Sequence, residues 1–210
     1  MEKLIDMDLI YATIDGMVKD SSSKGNKSVL ILREIKVMLY LMYALCLRPT
    51  EAIALNIDSF TGNYDNQDLG NFGKIKVAGR KTGRRTIIVR DRTLPGIMED
   101  FMLNVRPNFK KAADEPGEPL FLTFSGKRVS YALLFRCFNR VLTTAGLGGQ
   151  RFVLYDIRKA AMTRDFFENP IPSMPRMCSW HHVATTEKYI QSLKITEIES
   201  THGIQNPKKE

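Results

Sequence analysis

The sequence predicts a mainly α fold with one small antiparallel β-sheet, an α+β arrangement. Two observations lead there. Apolar residues recur at three- and four-residue spacing through most of the chain, the period of helices with a buried face. Two short runs rich in β-branched residues, 74–78 and 86–89, flank a glycine-bearing turn, the pattern of a hairpin. No internal repeat divides the chain.

The elements follow in order. Leu4, Ile5, Leu9, Ile10, Ile14, Met17 and Val18 give a first helix over residues 5–19. The stretch from Asp20 to Asn26 is serine-rich and reads as a loop. Ser28 is expected to cap a long helix running to Leu47. Its apolar positions, among them Leu32, Ile35, Met38, Leu39, Met42 and Cys46, are spread widely enough to bury most of its sides. Pro49 breaks that helix and fits the first turn of another, expected to reach Leu55. Arg48 then stands just before a helix N-terminus. Residues 60–73 are polar and turn-rich and read as a loop. The hairpin strands Lys74–Ala78 and Thr86–Val89 enclose a cationic tip, Gly79 to Arg85. Further helices are expected at 94–105, 130–145, 156–168, 174–180 and 182–192, with Pro170, Pro172 and Pro175 punctuating the approach to the last pair. The final residues, Gln205 to Glu210, read as a mobile tail.

Composition bounds the function. At 210 residues the chain suits one good-sized domain, and 43% hydrophobic with 26% charged residues excludes a wholly disordered one. No apolar run approaches the length that crosses a bilayer, and Glu2, Asp6 and Asp8 sit where a signal peptide would be uncharged, so neither a membrane partner nor secretion is expected. Lys and Arg number 31 against 23 for Asp and Glu, for a net charge of +8, which favours a polyanionic partner. The three cysteines, Cys46, Cys137 and Cys178, are scattered, and Cys46 and Cys137 fall in apolar helical patterns as small core residues. A reduced, intracellular setting follows.

Four features carry chemistry. Leu47-Arg48-Pro49-Thr50-Glu51 places a guanidinium at a helix joint, where it could meet a phosphate or simply pair with Glu51 on the surface. Arg80-Lys81-Thr82-Gly83-Arg84-Arg85 puts a cluster of cations on the hairpin, either to grip a nucleic-acid backbone or as solvated edge charges. Tyr155 and Arg158 are three apart on an expected helix and share a face; alone, this is also how an ordinary amphipathic helix begins. Trp180, His181, His182 and Tyr189 cluster near the end. Cys178 with the two histidines raises zinc, but no second Cys/His pair lies at ligand spacing, and no metal or cofactor is expected.

In this order the four features resemble the catalytic domain of the tyrosine recombinases, the phage integrase family. Cys46-Leu47-Arg48-Pro49-Thr50-Glu51 is similar to that family's Gly-Leu-Arg-x-x-Glu box, and Lys81-Thr82-Gly83 to its hairpin Lys-Thr-Gly. Tyr155-Asp156-Ile157-Arg158 stands for His-x-x-Arg, and Trp180, Thr185-Thr186 and Tyr189 for the last box. The resemblance spans residues 5–192. It implies a catalytic domain over 1–192 and a tail over 193–210, with Leu193, Ile195, Ile198 and Ile204 able to dock on a neighbouring subunit or pack on their own.

The resemblance further implies metal-free transesterification of double-stranded DNA. Tyr189 would attack a backbone phosphate, Arg48 and Arg158 would hold its oxygens, Lys81 would protonate the departing oxygen, and Trp180 would donate its indole N–H. Arg80, Arg84, Arg85, Lys159, His181 and His182 are the expected DNA contacts. The partner implied is a homotetramer on DNA, a monomer being possible without it, and the source a virus or mobile element. Two positions depart from the family: Tyr155 replaces a histidine, and a phenol is a poor base near neutrality though a serviceable donor. Ser179 precedes Trp180. Counting from Gly79 would put Arg80 at the lysine's place, and His181 competes with Trp180. Fewer than about 30 residues precede the long helix, too few for the amino-terminal clamp domain active recombinases carry. A degenerate recombinase fold kept as a DNA-binding regulator, and a type IB topoisomerase, are the competing readings.

Overall fold

The computed structural model describes residues 4–21, 26–62, 67–79, 83–109 and 117–168. Its elements are α1 (Met7–Ser21), α2 (Asn26–Ala44), α3 (Pro49–Ile53), β1 (Phe60–Thr61), β2 (Lys74–Gly79), β3 (Gly83–Ile88), α4 (Leu94–Asp100), α5 (Tyr131–Thr144) and α6 (Leu154–Glu168). The mainly helical fold with one small antiparallel sheet is what the sequence predicts. The helices expected at 174–180 and 182–192, and the tail, lie outside the described residues.

Helix α2 is the spine, packed against α1, α3, α5 and α6. Leu32, Ile35, Met38, Leu39, Leu41 and Met42 are all buried, so the wide apolar surface read from the sequence is covered on most sides. Arg33 pairs with Asp100 at 2.7 Å and Lys36 with Asp15 at 2.6 Å where polar residues of α2 meet α4 and α1. Glu34, also on α2, is buried and accepts the Leu122 N–H at 2.8 Å. Burial pushes its carboxyl up to about 8, against the pull of that hydrogen bond and of Arg106.

Helix α2 ends earlier than the expected Leu47. Cys46 turns left-handed at φ 51°, and the Leu47 N–H bonds back to the Met42 carbonyl at 3.0 Å, a Schellman closure. Cys46 is therefore buried, as read, but in a turn instead of a helix. The left-handed region costs an L-residue about 1–2 kcal/mol, and a β-branched side chain fits it worst. Cys46→Val is accordingly expected to unfold at lower urea than Cys46→Ala, by at least about 1 kcal/mol, despite its larger apolar side chain.

The sheet runs β1-β2-β3, antiparallel throughout. The two residues of β1 pair with Ile75 and Lys74, so the expected loop over 60–73 holds a strand, and it also holds a 3-10 turn, Gln67–Phe72. Register across the hairpin runs from Lys74↔Ile88 to Gly79↔Gly83. Strand β3 thus begins three residues before the expected Thr86. Arg84 and Arg85 belong to the strand, not to the tip. Ile75, Val77, Ile87 and Val89 point inward and are buried, and Arg85 shares their odd parity.

The helix expected at 94–105 divides. Helix α4 passes into a π turn, Phe101–Val105, and a 3-10 turn, Arg106–Asn108. Buried Arg106 ties this segment to the chain beyond, donating to the Leu120 carbonyl at 3.0 Å and the Pro119 carbonyl at 2.7 Å. Arg128 closes the end of α3, giving Nη1 to the Ile53 and Leu55 carbonyls at 3.0 and 2.9 Å. Ser130 caps α5, accepting the Leu133 N–H at 3.2 Å.

Candidate active site: arginines gathered on one buried carboxylate

Two helices begin in the same way, and each carries an arginine singled out by its motif. In α3, Pro49 takes the first helical position and Glu51 the third. The Glu51 Oε2 atom accepts the Arg48 backbone N–H at 2.7 Å, so Arg48 is the N-cap. In α6 the third residue is Asp156, whose Oδ2 atom accepts the Val153 N–H at 2.7 Å. That clasp starts α6 two residues before the expected position and sets the phase that turns Arg158 into the core.

Arg158 is fully buried. Its Nη1 atom donates to the Cys46 carbonyl, 112 residues away in sequence, and lies 3.7 Å from Glu51 Oε2. Arg48 gives its Nη1 atom to Glu51 Oε1 at 2.8 Å. Arg85 arrives from β3 with a two-pronged contact, Nη1 to Oε1 at 2.6 Å and Nη2 to Oε2 at 3.0 Å. Helix α3, the sheet and α6 thus deliver three guanidinium groups to one carboxylate.

Glu51 itself is only 2% exposed. Burial alone would raise its carboxyl, but the hydrogen bonds from Arg85 and Arg48 and their charges win, and it is held down to about 2. The carboxylate stays ionised, and among the described residues three cations around one anion leave a formal excess of two positive charges. Their side-chain exposure grades from Arg158 at 0% through Arg85 at 12% to Arg48 at 29%. A cleft of about 420 Å³ opens on the Arg85 side of the cluster, lined in part by Glu51, Asp58, Lys76, Arg84 and Arg85. Planar forks held in fixed orientation beside a cleft suit an oxyanion or phosphate diester.

The remaining motif residues fall as follows. Tyr155 is exposed on the first turn of α6, while Arg158, three residues on, is buried. Lys159 pairs with Asp156 at 3.1 Å. Arg84 is exposed on β3. Arg80, Lys81, Trp180, His181, His182 and Tyr189 lie outside the described residues. Among the described residues, no group of three or more histidines, cysteines or carboxylates is arranged to hold a metal.

The reach of Glu51 goes beyond the sequence reading, which has it as a surface partner of Arg48. The inward placement of Arg85 was open to the period-two rule: Arg85, Ile87 and Val89 alternate with Arg84, Thr86 and Ile88. Burial of Glu51 has no comparable local signal.

The helical architecture with one small sheet has counterparts among known structures. No family model matches the sequence, and no curated protein does. Solved structures match over nearly the whole chain. The XerH site-specific recombinase, bound to a palindromic difH substrate in a post-cleavage complex, superposes with a TM-score of 0.69 at 15% identity, over 97% of this chain and 53% of that one. The XerA recombinase gives 0.63 at 15% identity, over 98% and 67%. A lambda integrase dimer bound to a COC′ core site gives 0.61 at 12% identity, over 99% and 62%. The chain therefore has the tyrosine recombinase catalytic-domain fold. It spans about half the length of the XerH chain it matches.

Proposed function

We propose that this chain is a tyrosine-type site-specific recombinase that cuts and rejoins double-stranded DNA. The observation that carries this reading is the convergence of Arg48 and Arg158 on Glu51. They come from two boxes singled out in the sequence by residue type, order and spacing, and they meet within a fold shared with recombinases.

In this mechanism the Tyr189 phenolic oxygen attacks the scissile phosphorus and gives up its proton to solvent water. The bond from phosphorus to the 5′-oxygen breaks, and Lys81 supplies the proton that makes the leaving group a 5′-hydroxyl. A 3′-phosphotyrosyl bond conserves the energy, and a second 5′-hydroxyl reverses the step. Arg48 and Arg158 offset the charge that builds on the non-bridging oxygens. Trp180 donates its indole N–H, and Tyr155 a phenolic hydrogen bond where the family has histidine. The exposed Arg84 and the half-buried Lys159, with Arg80, His181 and His182, contact the backbone and give binding a salt dependence. The active form is a homotetramer on two DNA sites, and the source is a virus or mobile element.

Covalent capture tests the reading without knowledge of the target. Wild-type protein is incubated with a pool of nicked duplexes of random sequence, and adducts that survive detergent are recovered. Recovery of a sequence-enriched adduct, lost entirely in Tyr189→Phe, is the expected result. Tyr155 favours the competing reading, a recombinase fold kept only to bind DNA. That reading predicts sequence-selective binding equal in wild type and Tyr189→Phe, with no adduct from either.

A further inference from the structure

The carboxylate of Glu51 has room for about four hydrogen bonds, two on each oxygen. Four donors fill it. Arg48 contributes its backbone N–H and Nη1, at 2.7 and 2.8 Å, and Arg85 contributes Nη1 and Nη2, at 2.6 and 3.0 Å. Arg158 stands at 3.7 Å, outside hydrogen-bond distance, and its Nη1 atom donates to the Cys46 carbonyl instead. Arg85 takes one lone pair on each oxygen, the pair of acceptors that a second guanidinium fork would need.

We propose that Arg85 is a positioning residue: by filling the Glu51 carboxylate it keeps Arg158 from closing a two-pronged pair with that carboxylate, and so holds the guanidinium in the geometry that receives a phosphate. Bidentate pairing between Arg and a carboxylate is strong, and stronger away from water. With Glu51 and Arg158 both buried, an unopposed pair would form readily. A fork committed to Glu51 in that way would offer less to a non-bridging oxygen. Arg85 belongs to the sheet and Arg158 to α6, so the device also makes the α6 arginine depend on a correctly docked hairpin. The packing part of the proposal stands on the geometry; the functional part rests on the recombinase reading above.

The packing part is tested on the full chain carrying Arg85→Met, which preserves volume and removes the fork. A crystal structure of the variant is expected to show the distance from Arg158 Nη to Glu51 Oε2 shortened from 3.7 Å to a hydrogen bond, about 3 Å. A spacing unchanged from wild type overturns the proposal. Should Arg85→Met fail to fold, Arg85→Lys keeps the charge without the fork, and the same shortening is expected of it.

The functional part uses a duplex recovered by wild-type capture. On the ordinary phosphodiester, Arg85→Met is expected to cleave about a hundredfold more slowly, the scale of losing one preorganised donor, with Arg85→Lys between it and wild type. On the same duplex with a methylphosphonate at the scissile position, the anionic oxygen is gone and the arginines have less to neutralise. There the variant and wild type are expected to cleave at similar rates. A defect of equal size on both substrates would mean general damage and overturns the positioning role. Failure of wild-type capture to recover any duplex rejects the recombinase reading, and the functional part with it, while the crystallographic spacing still decides the packing.

Discussion

Glu51→Ala is expected to cost about 3–5 kcal/mol of unfolding free energy, the scale for stripping a buried ion cluster of its counter-charge. The reason is arithmetic. Among the described residues Glu51 is the carboxylate that Arg48, Arg85 and Arg158 share, and Arg158 is fully buried. Without it, guanidinium groups face one another in a medium that screens poorly. The α3 N-cap also loses the acceptor for its N–H. Urea unfolding checks this, and a loss below about 1 kcal/mol would show that the arginines find other partners without cost. Glu51→Gln, which keeps the shape and loses the charge, should fall between.

The same carboxylate gives a pH dependence. Its folded-state value, about 2, lies below the ordinary 4.5. A depressed carboxyl contributes stability that is fully present above its unfolded value and lost as pH falls through the folded one. The contribution is about 3 kcal/mol, on the rule of about 1.4 kcal/mol for each tenfold change. Wild type should therefore lose stability between pH 5 and pH 2 more steeply than Glu51→Gln.

Arg158→Met should do the reverse: abolish the proposed DNA cleavage while sparing the fold. The Cys46 carbonyl loses the bond from Arg158, which costs about 1–3 kcal/mol. Against that, a cluster carrying two excess positive charges loses one, and Glu51 keeps the hydrogen bonds from Arg48 and Arg85. A methionine fills the vacated volume, and exchanges of buried ions for apolar groups of similar size are often neutral or better. Stability within about 2 kcal/mol of wild type is expected. Cleavage of a captured duplex should fall by about a thousandfold, the upper range for one oxyanion donor. A destabilisation as large as that of Glu51→Ala would mean that Arg158 is a structural strut first.

Much of the fold was legible. Pro49 announces a helix start, which fixes Arg48 as N-cap. The apolar width of α2 announces a central helix, and the two β-branched runs announce β2 and β3. What escaped has physical causes. The left-handed turn at Cys46 lacks the glycine that usually signals one. The strand β1 is two residues long and exists only because β2 offers it an edge. The hairpin tip is shorter than composition implies, because arginines are tolerated in a strand when one faces solvent and the next a carboxylate. Both motif arginines were legible from box order. The part played by Arg85 was legible only as parity, and its partner lies 34 residues upstream.

The surplus of cations around Glu51 has a consequence for the bench. A well of fixed positive charge with a rim open at Arg48 attracts sulfate, phosphate and other small polyvalent solutes from any buffer. If the proposed recombinase function holds, such solutes and the DNA backbone would contend for the same seat, so affinities taken in phosphate buffer and in chloride would differ by more than ionic strength explains.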